Sequence, residues 1–123
     1  MAHLKTKNIL FYSPDFSLCY SLLMYLQDNY KVTTTTDLEI LKSIVSSSHF
    51  DMLIMDSEPS ETIEKLVKEL RVENENFPII MTYVFNNQII DFESKIRKYI
   101  STIFYKPFDL SEVSLKLPAL MLH

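Results

Sequence analysis

The sequence contains no glycine. Glycine-rich phosphate cradles need backbone at φ > 0 or backbone that a ligand approaches closely, and glycine supplies both at least cost. Its absence excludes a P-loop, a dinucleotide-binding fingerprint and a nucleophile elbow. Tryptophan is also absent, so nothing positive supports a small flavin protein. The single cysteine, Cys19, rules out an intrachain disulfide and fits a reducing, cytoplasmic setting. Three scattered histidines, His3, His49 and His123, offer no zinc-ligand spacing. Basic residues are in the minority: 12 Lys and Arg face 16 Asp and Glu, for a net charge of −4. That balance argues against direct binding of nucleic acid. No run approaches the ~20 apolar residues of a membrane span and no signal-peptide pattern is present, so no membrane role is expected.

What is there is a regular alternation. The 123 residues suit one domain spanning 1–123, with a core over about 7–117. Ile9-Leu10-Phe11-Tyr12 reads as a buried strand, and Asp15 to Asn29 as a helix with Leu18, Leu22 and Leu26 on one face. Tyr30-Lys31-Val32 and the four threonines after it form a β-branched second strand with a polar face. Asp37 caps a helix carrying Leu38, Leu41, Ile44 and Val45. Met52-Leu53-Ile54-Met55 is a third strand that runs into Asp56. Ile63, Leu66, Val67 and Leu70 give the clearest amphipathic helix. Pro78 opens a fourth strand, Ile79 to Thr82, and Ile89, Phe92, Ile96 and Ile100 mark the next helix. Thr102 to Tyr105 is the fifth strand, closed by Lys106-Pro107. Asp109 and Glu112 have capping-box spacing for a last helix from Leu110 to about Leu117.

Five βα units with near-continuous apolar strands imply an α/β fold: a flavodoxin-like, doubly wound, five-stranded parallel sheet of order 2-1-3-4-5. Such sheets bind ligands at the carboxyl ends of their strands. Those ends carry Ser13-Pro14-Asp15, Asp56, Thr82 and Lys106-Pro107.

Taken in order on the proper strand ends, these residues resemble the receiver domain of two-component response regulators, over about Lys7 to Leu117. The resemblance implies that Asp56 accepts a phosphoryl group from a histidine kinase or phosphotransfer protein. It makes Lys106 a fixed positive charge beside a phosphoryl oxygen and Thr82 a hydroxyl donor that reports phosphorylation. It implies Mg²⁺, held by Asp56, Asp15 and the backbone carbonyl of Glu58. It also implies a cis peptide at Pro107. The face made by the fourth helix, fifth strand and fifth helix becomes a surface for a second copy or an output partner, with Tyr99, Ile103, Tyr105 and Phe108 as its apolar part. No catalysis is implied beyond slow self-phosphorylation and dephosphorylation.

The sequence departs from the family's pattern at four places. The adjacent acid pair after the first strand falls on Ser13 and Pro14 when aligned from the strand, and on Pro14 and Asp15 when aligned from the helix, so at most one acid survives. Asp15 is either a metal ligand or simply a helix cap. Tyr83 follows the switch threonine where the family has a small residue, a position from which it would gate the acceptor. Ile103 stands where the family has its aromatic switch residue. Pro59 comes one residue early, and the glycine usual beyond it is missing. The alternative is therefore a pseudo-receiver, an interaction module that works without phosphorylation.

Overall fold

The computed structural model describes residues 7–121. Five strands are parallel throughout: β1 (Asn8–Tyr12), β2 (Lys31–Thr35), β3 (Met52–Asp56), β4 (Ile79–Tyr83) and β5 (Thr102–Tyr105). Their order is β2-β1-β3-β4-β5, as expected from the sequence. The helices are α1 (Phe16–Leu26), α2 (Leu41–Ser47), α3 (Glu61–Glu73), α4 (Ile90–Ile96) and α5 (Leu110–Leu120). Short 3₁₀ turns, Leu38–Ile40 and Asn87–Ile89, lead into α2 and α4.

Strand alternation sorts the core into two layers. Ile9, Phe11, Met52, Ile54 and Ile80 pack under Cys19, Leu22 and Leu26 of α1 and Val113 and Leu117 of α5. Leu10, Leu53, Met55, Ile79 and Met81 pack under Leu41 of α2, Ile63 and Val67 of α3 and Ile96 of α4. The three central strands are buried on both faces, and each buried aliphatic side chain contributes roughly 1.5–3 kcal/mol. The threonine-rich β2 lies at the sheet edge with no fully buried residue, which is why it tolerates a polar face.

Several boundaries differ from the sequence reading: the first helix, read to Asn29, ends at Leu26, and the fourth strand runs one residue further, to Tyr83. The last helix continues past Leu117 through Pro118 to Leu120. A proline so close to the end removes one internal N–H, and the Met121 N–H closes the turn onto the carbonyls of Leu117 and Pro118. The fourth helix stops at Ile96, before Ile100. There the Arg71 side chain takes the Tyr99 carbonyl with two donors, at 3.0 and 2.8 Å. At the start of α5, the Asp109 carboxylate accepts from the Ser111 N–H and hydroxyl, not from the N–H of Glu112 that a capping box uses.

Candidate phosphoacceptor site

Asp56 is the last residue of β3 and is buried to 6% exposure. Its carboxylate accepts three side-chain hydrogen bonds. Thr82 Oγ1, from the register partner of Asp56 on β4, donates to Oδ1 at 2.9 Å. Lys106 Nζ, just beyond β5, donates to the same oxygen at 3.0 Å. Ser13 Oγ, just beyond β1, donates to Oδ2 at 2.7 Å. The strand ends that carry these groups are tied together. The Ser57 N–H donates to the Thr82 carbonyl at 3.1 Å, and the Lys106 N–H to the Tyr83 carbonyl at 2.8 Å. The Lys106–Pro107 peptide is cis.

A depression of about 200 Å³ opens beside Asp56, with Ser57, Glu58, Thr82, Tyr83, Val84 and Lys106 on its walls. A roomier one of about 310 Å³ lies at the other rim, near His49, Asp51 and Asn76, and brings together no comparable set of groups. Charge-assisted donors on a buried carboxylate are individually strong. The arrangement can therefore hold Asp56 fixed, and its ammonium and hydroxyl can neutralise and bond equatorial oxygens of a phosphoryl group placed there.

The remaining site residues fall less closely together. Asp15 is exposed and spends Oδ1 on the N–H groups of Ser17 and Leu18 as the N-cap of α1. Its N–H donates to Ser13 Oγ at 3.0 Å, which helps hold that serine against Asp56. Glu58 is exposed in the loop after β3. Among the described residues, no three Asp, Glu, His or Cys side chains gather as a metal-binding group. Cys19 is buried in α1, and burial pushes its thiol pKa up, consistent with a core role.

Tyr83 borders the depression beside Asp56, with its side chain directed away from the carboxylate. Alternation along β4 turns its ring to the face opposite Thr82, where it is buried and meets Tyr105 edge-on at 5.6 Å. Its hydroxyl donates to Glu93. Burial, then this bond to a carboxylate, drive the Tyr83 pKa far up. The apolar residues expected on the α4–β5–α5 face also separate. Tyr99 and Ile103 pack against the α2–α3–α4 layer, and Phe108 against the other. Exposed apolar side chains on these elements are Ile90, Tyr105 and Leu115, with Val84 and Phe85 in the loop before α4.

Sequence reasoning missed Glu93. It is buried to 8% exposure on α4, and its Oε1 accepts from both Tyr83 and Tyr105, the latter at 2.7 Å. Arg97 lies 3.6 Å from its Oε2 and donates to the Tyr105 hydroxyl at 3.0 Å. The signal was available: Ile89, Glu93 and Ile96 follow the i, i+4, i+7 spacing of a buried helical face.

No protein-family model matches this chain, and no curated protein sequence matches it. Solved structures do. A two-component response regulator from Clostridium difficile superposes with a TM-score of 0.77 at 19% identity, covering 94% of this chain and 95% of that one. The chain has the receiver fold. A chemotaxis response regulator of Vibrio cholerae gives 0.76 at 21% identity, over 93% and 98% of the two chains. An orphan response regulator of H. pylori gives 0.82 at 10% identity, over 96% and 98%. At such identities the likeness concerns the fold. Among the described residues, no helix is long and apolar enough to cross a membrane.

Proposed function

We propose that this chain is a cytoplasmic signalling receiver of a two-component phosphorelay, with Asp56 accepting a phosphoryl group from the phosphohistidine of a kinase or phosphotransfer protein. The observation that carries the reading is the convergence of Thr82 Oγ1 and Lys106 Nζ on Asp56 Oδ1 at the carboxyl edge of a receiver-fold sheet. In the transfer, an Asp56 carboxylate oxygen attacks phosphorus. The phosphorus–nitrogen bond breaks, its electron pair stays on the imidazole, and an acyl phosphate forms. Lys106 then bonds one phosphoryl oxygen and Thr82 another, each exchanging its carboxylate contact for the new charge.

The donor set fits a hard cation thinly. Asp56, the Glu58 carbonyl and the second carboxylate oxygen of Asp15 would hold Mg²⁺, which uses few protein ligands when waters and phosphate complete its octahedron. Bound there, it would supply further neutralisation of phosphoryl charge. The bound phosphoryl group would bias the α4–β5–α5 face toward an output partner or a second copy.

Intact mass after incubation with acetyl phosphate and Mg²⁺, beside Asp56→Ala, tests the reading. A phosphoryl adduct in the parent only is expected. No adduct on folded protein would favour the second reading, a module that works without phosphorylation. One observation supports that alternative: Ser13, a hydrogen-bond donor, occupies Asp56 Oδ2 where an acid would be needed to recruit metal.

A further inference from the structure

Asp56 and Glu93 are the two buried acidic side chains among the described residues. Asp56 accepts from Thr82 and Lys106. Glu93 accepts from Tyr83 and Tyr105, the chain neighbours of those same two residues. Tyr83 and Tyr105 are also register partners on β4 and β5. Each strand end thus presents one side chain to the acceptor on one face and its neighbour to Glu93 on the other. The Tyr83 ring is buried and packed edge-on against Tyr105, so a backbone shift of Thr82 toward a new group on Asp56 would press Tyr83 against Glu93 and Tyr105. Ile103, by contrast, has neither ring nor hydroxyl to change places.

We propose that Glu93 is a positioning residue for the Asp56 site, holding Thr82 and Lys106 through the Tyr83 and Tyr105 hydroxyls and tying changes at the acceptor to α4. The proposal rests on the receiver reading for its purpose, but its geometry is independent of phosphoryl chemistry. Glu93 sits on α4 beside Arg97, which bonds Tyr105, so a displacement of either tyrosine reaches the exposed surface of that helix.

The test uses the full chain and amide and arginine side-chain NMR signals. Asp56→Asn perturbs the acceptor with no phosphoryl group present. In the parent it should shift the Arg97 and α4 signals. In a Glu93→Gln or Tyr105→Phe background, checked for folding by circular dichroism, those shifts should fall at least threefold while shifts at Thr82 persist. Tyr105 is partly exposed, so its variant leaves the core packed if Glu93→Gln does not fold. Equal α4 shifts in parent and variant backgrounds would overturn the proposal. Adding beryllofluoride and Mg²⁺ separates the two readings. If the parent does not respond, phosphoacceptance fails, and the Asp56→Asn comparison still decides the role of Glu93.

Discussion

Ser13 donates its hydroxyl to Asp56 Oδ2 at 2.7 Å and is buried with it. The acceptor carboxylate is therefore satisfied by three donors before any ligand arrives: a serine, a threonine and a lysine. These donors explain how a buried carboxylate is tolerated at the end of β3.

Replacing Ser13 by Asp should exchange a hydrogen bond for like-charge repulsion. In the absence of metal, Ser13→Asp is expected to lose about 1–3 kcal/mol of stability. Millimolar Mg²⁺ should then restore it, because a ligand that binds only the native state at a hundred times its Kd adds about 2.7 kcal/mol. Urea melts of both proteins with and without Mg²⁺ check this. A variant that Mg²⁺ stabilises no more than the parent would show that the missing acid is not what limits metal binding.

Lys106→Met removes the one cation that pairs with Asp56 among the described residues. Breaking a buried pair costs about 3–5 kcal/mol because the other charge is left uncompensated. The Lys106 side chain is 36% exposed, so water screens part of that loss. A destabilisation of about 1–2 kcal/mol is expected by urea melting, together with loss of any phosphoryl adduct in the mass measurement. An unchanged melt would mean the 3.0 Å contact contributes nothing to folding.

Arg71 makes five hydrogen bonds to four backbone carbonyls, those of Asn74, Glu75, Phe77 and Tyr99. Partial burial lowers its pKa, yet it stays a cation and joins the end of α3 to the turn after α4. Arg71→Met leaves those carbonyls short of donors and should cost about 3 kcal/mol. Arg71→Lys should recover less than half, since an ammonium cannot reproduce the planar fork. Full recovery by lysine would reduce the role of Arg71 to charge alone.

The Glu93 cluster predicts two limbs in the pH profile of stability. Burial raises the Glu93 pKa, but hydrogen bonds from Tyr83 and Tyr105 and the nearby Arg97 outweigh it and hold the group below its ordinary 4.5. A carboxyl lowered on folding contributes stability that is present above 4.5 and lost as pH falls through its native value. Tyr83, raised by burial and by Glu93, contributes stability that is present below 10 and lost as pH rises beyond it. Glu93→Gln should therefore flatten the acid limb of a thermal-melting series, and Tyr83→Phe the alkaline limb. Variants that lose stability in parallel with the parent on both limbs would remove these residues as its source.

Much of this protein was legible in its sequence because the relevant signals are local. Apolar runs of four or five residues alternate with helical periodicity, so the strands, their parallel order and the residues at their carboxyl ends follow from short-range pattern and crossover handedness. Asp56, Thr82 and Lys106 were found that way, since a strand end is a position in sequence before it is a position in space. The direction of Tyr83 was legible in principle too, because alternation alone places it opposite Thr82. Tyr83 does border the depression beside Asp56, as its place after Thr82 implies, but its hydroxyl is turned to Glu93.

By itself, the sequence determined the fold, the two core layers, the rim and the three groups that meet on it. Only the tertiary structure decided how the polar leftovers are satisfied. Ser13 turns inward to Asp56, Glu93 is drawn into the core by two tyrosines, and Arg71 gathers four carbonyls from separate segments. The physical reason is one of range. Hydrophobic burial is non-directional and leaves a periodic trace along the chain. A buried hydrogen bond depends on angles and on partners from different elements, and it takes definite form only when the layers have closed around it.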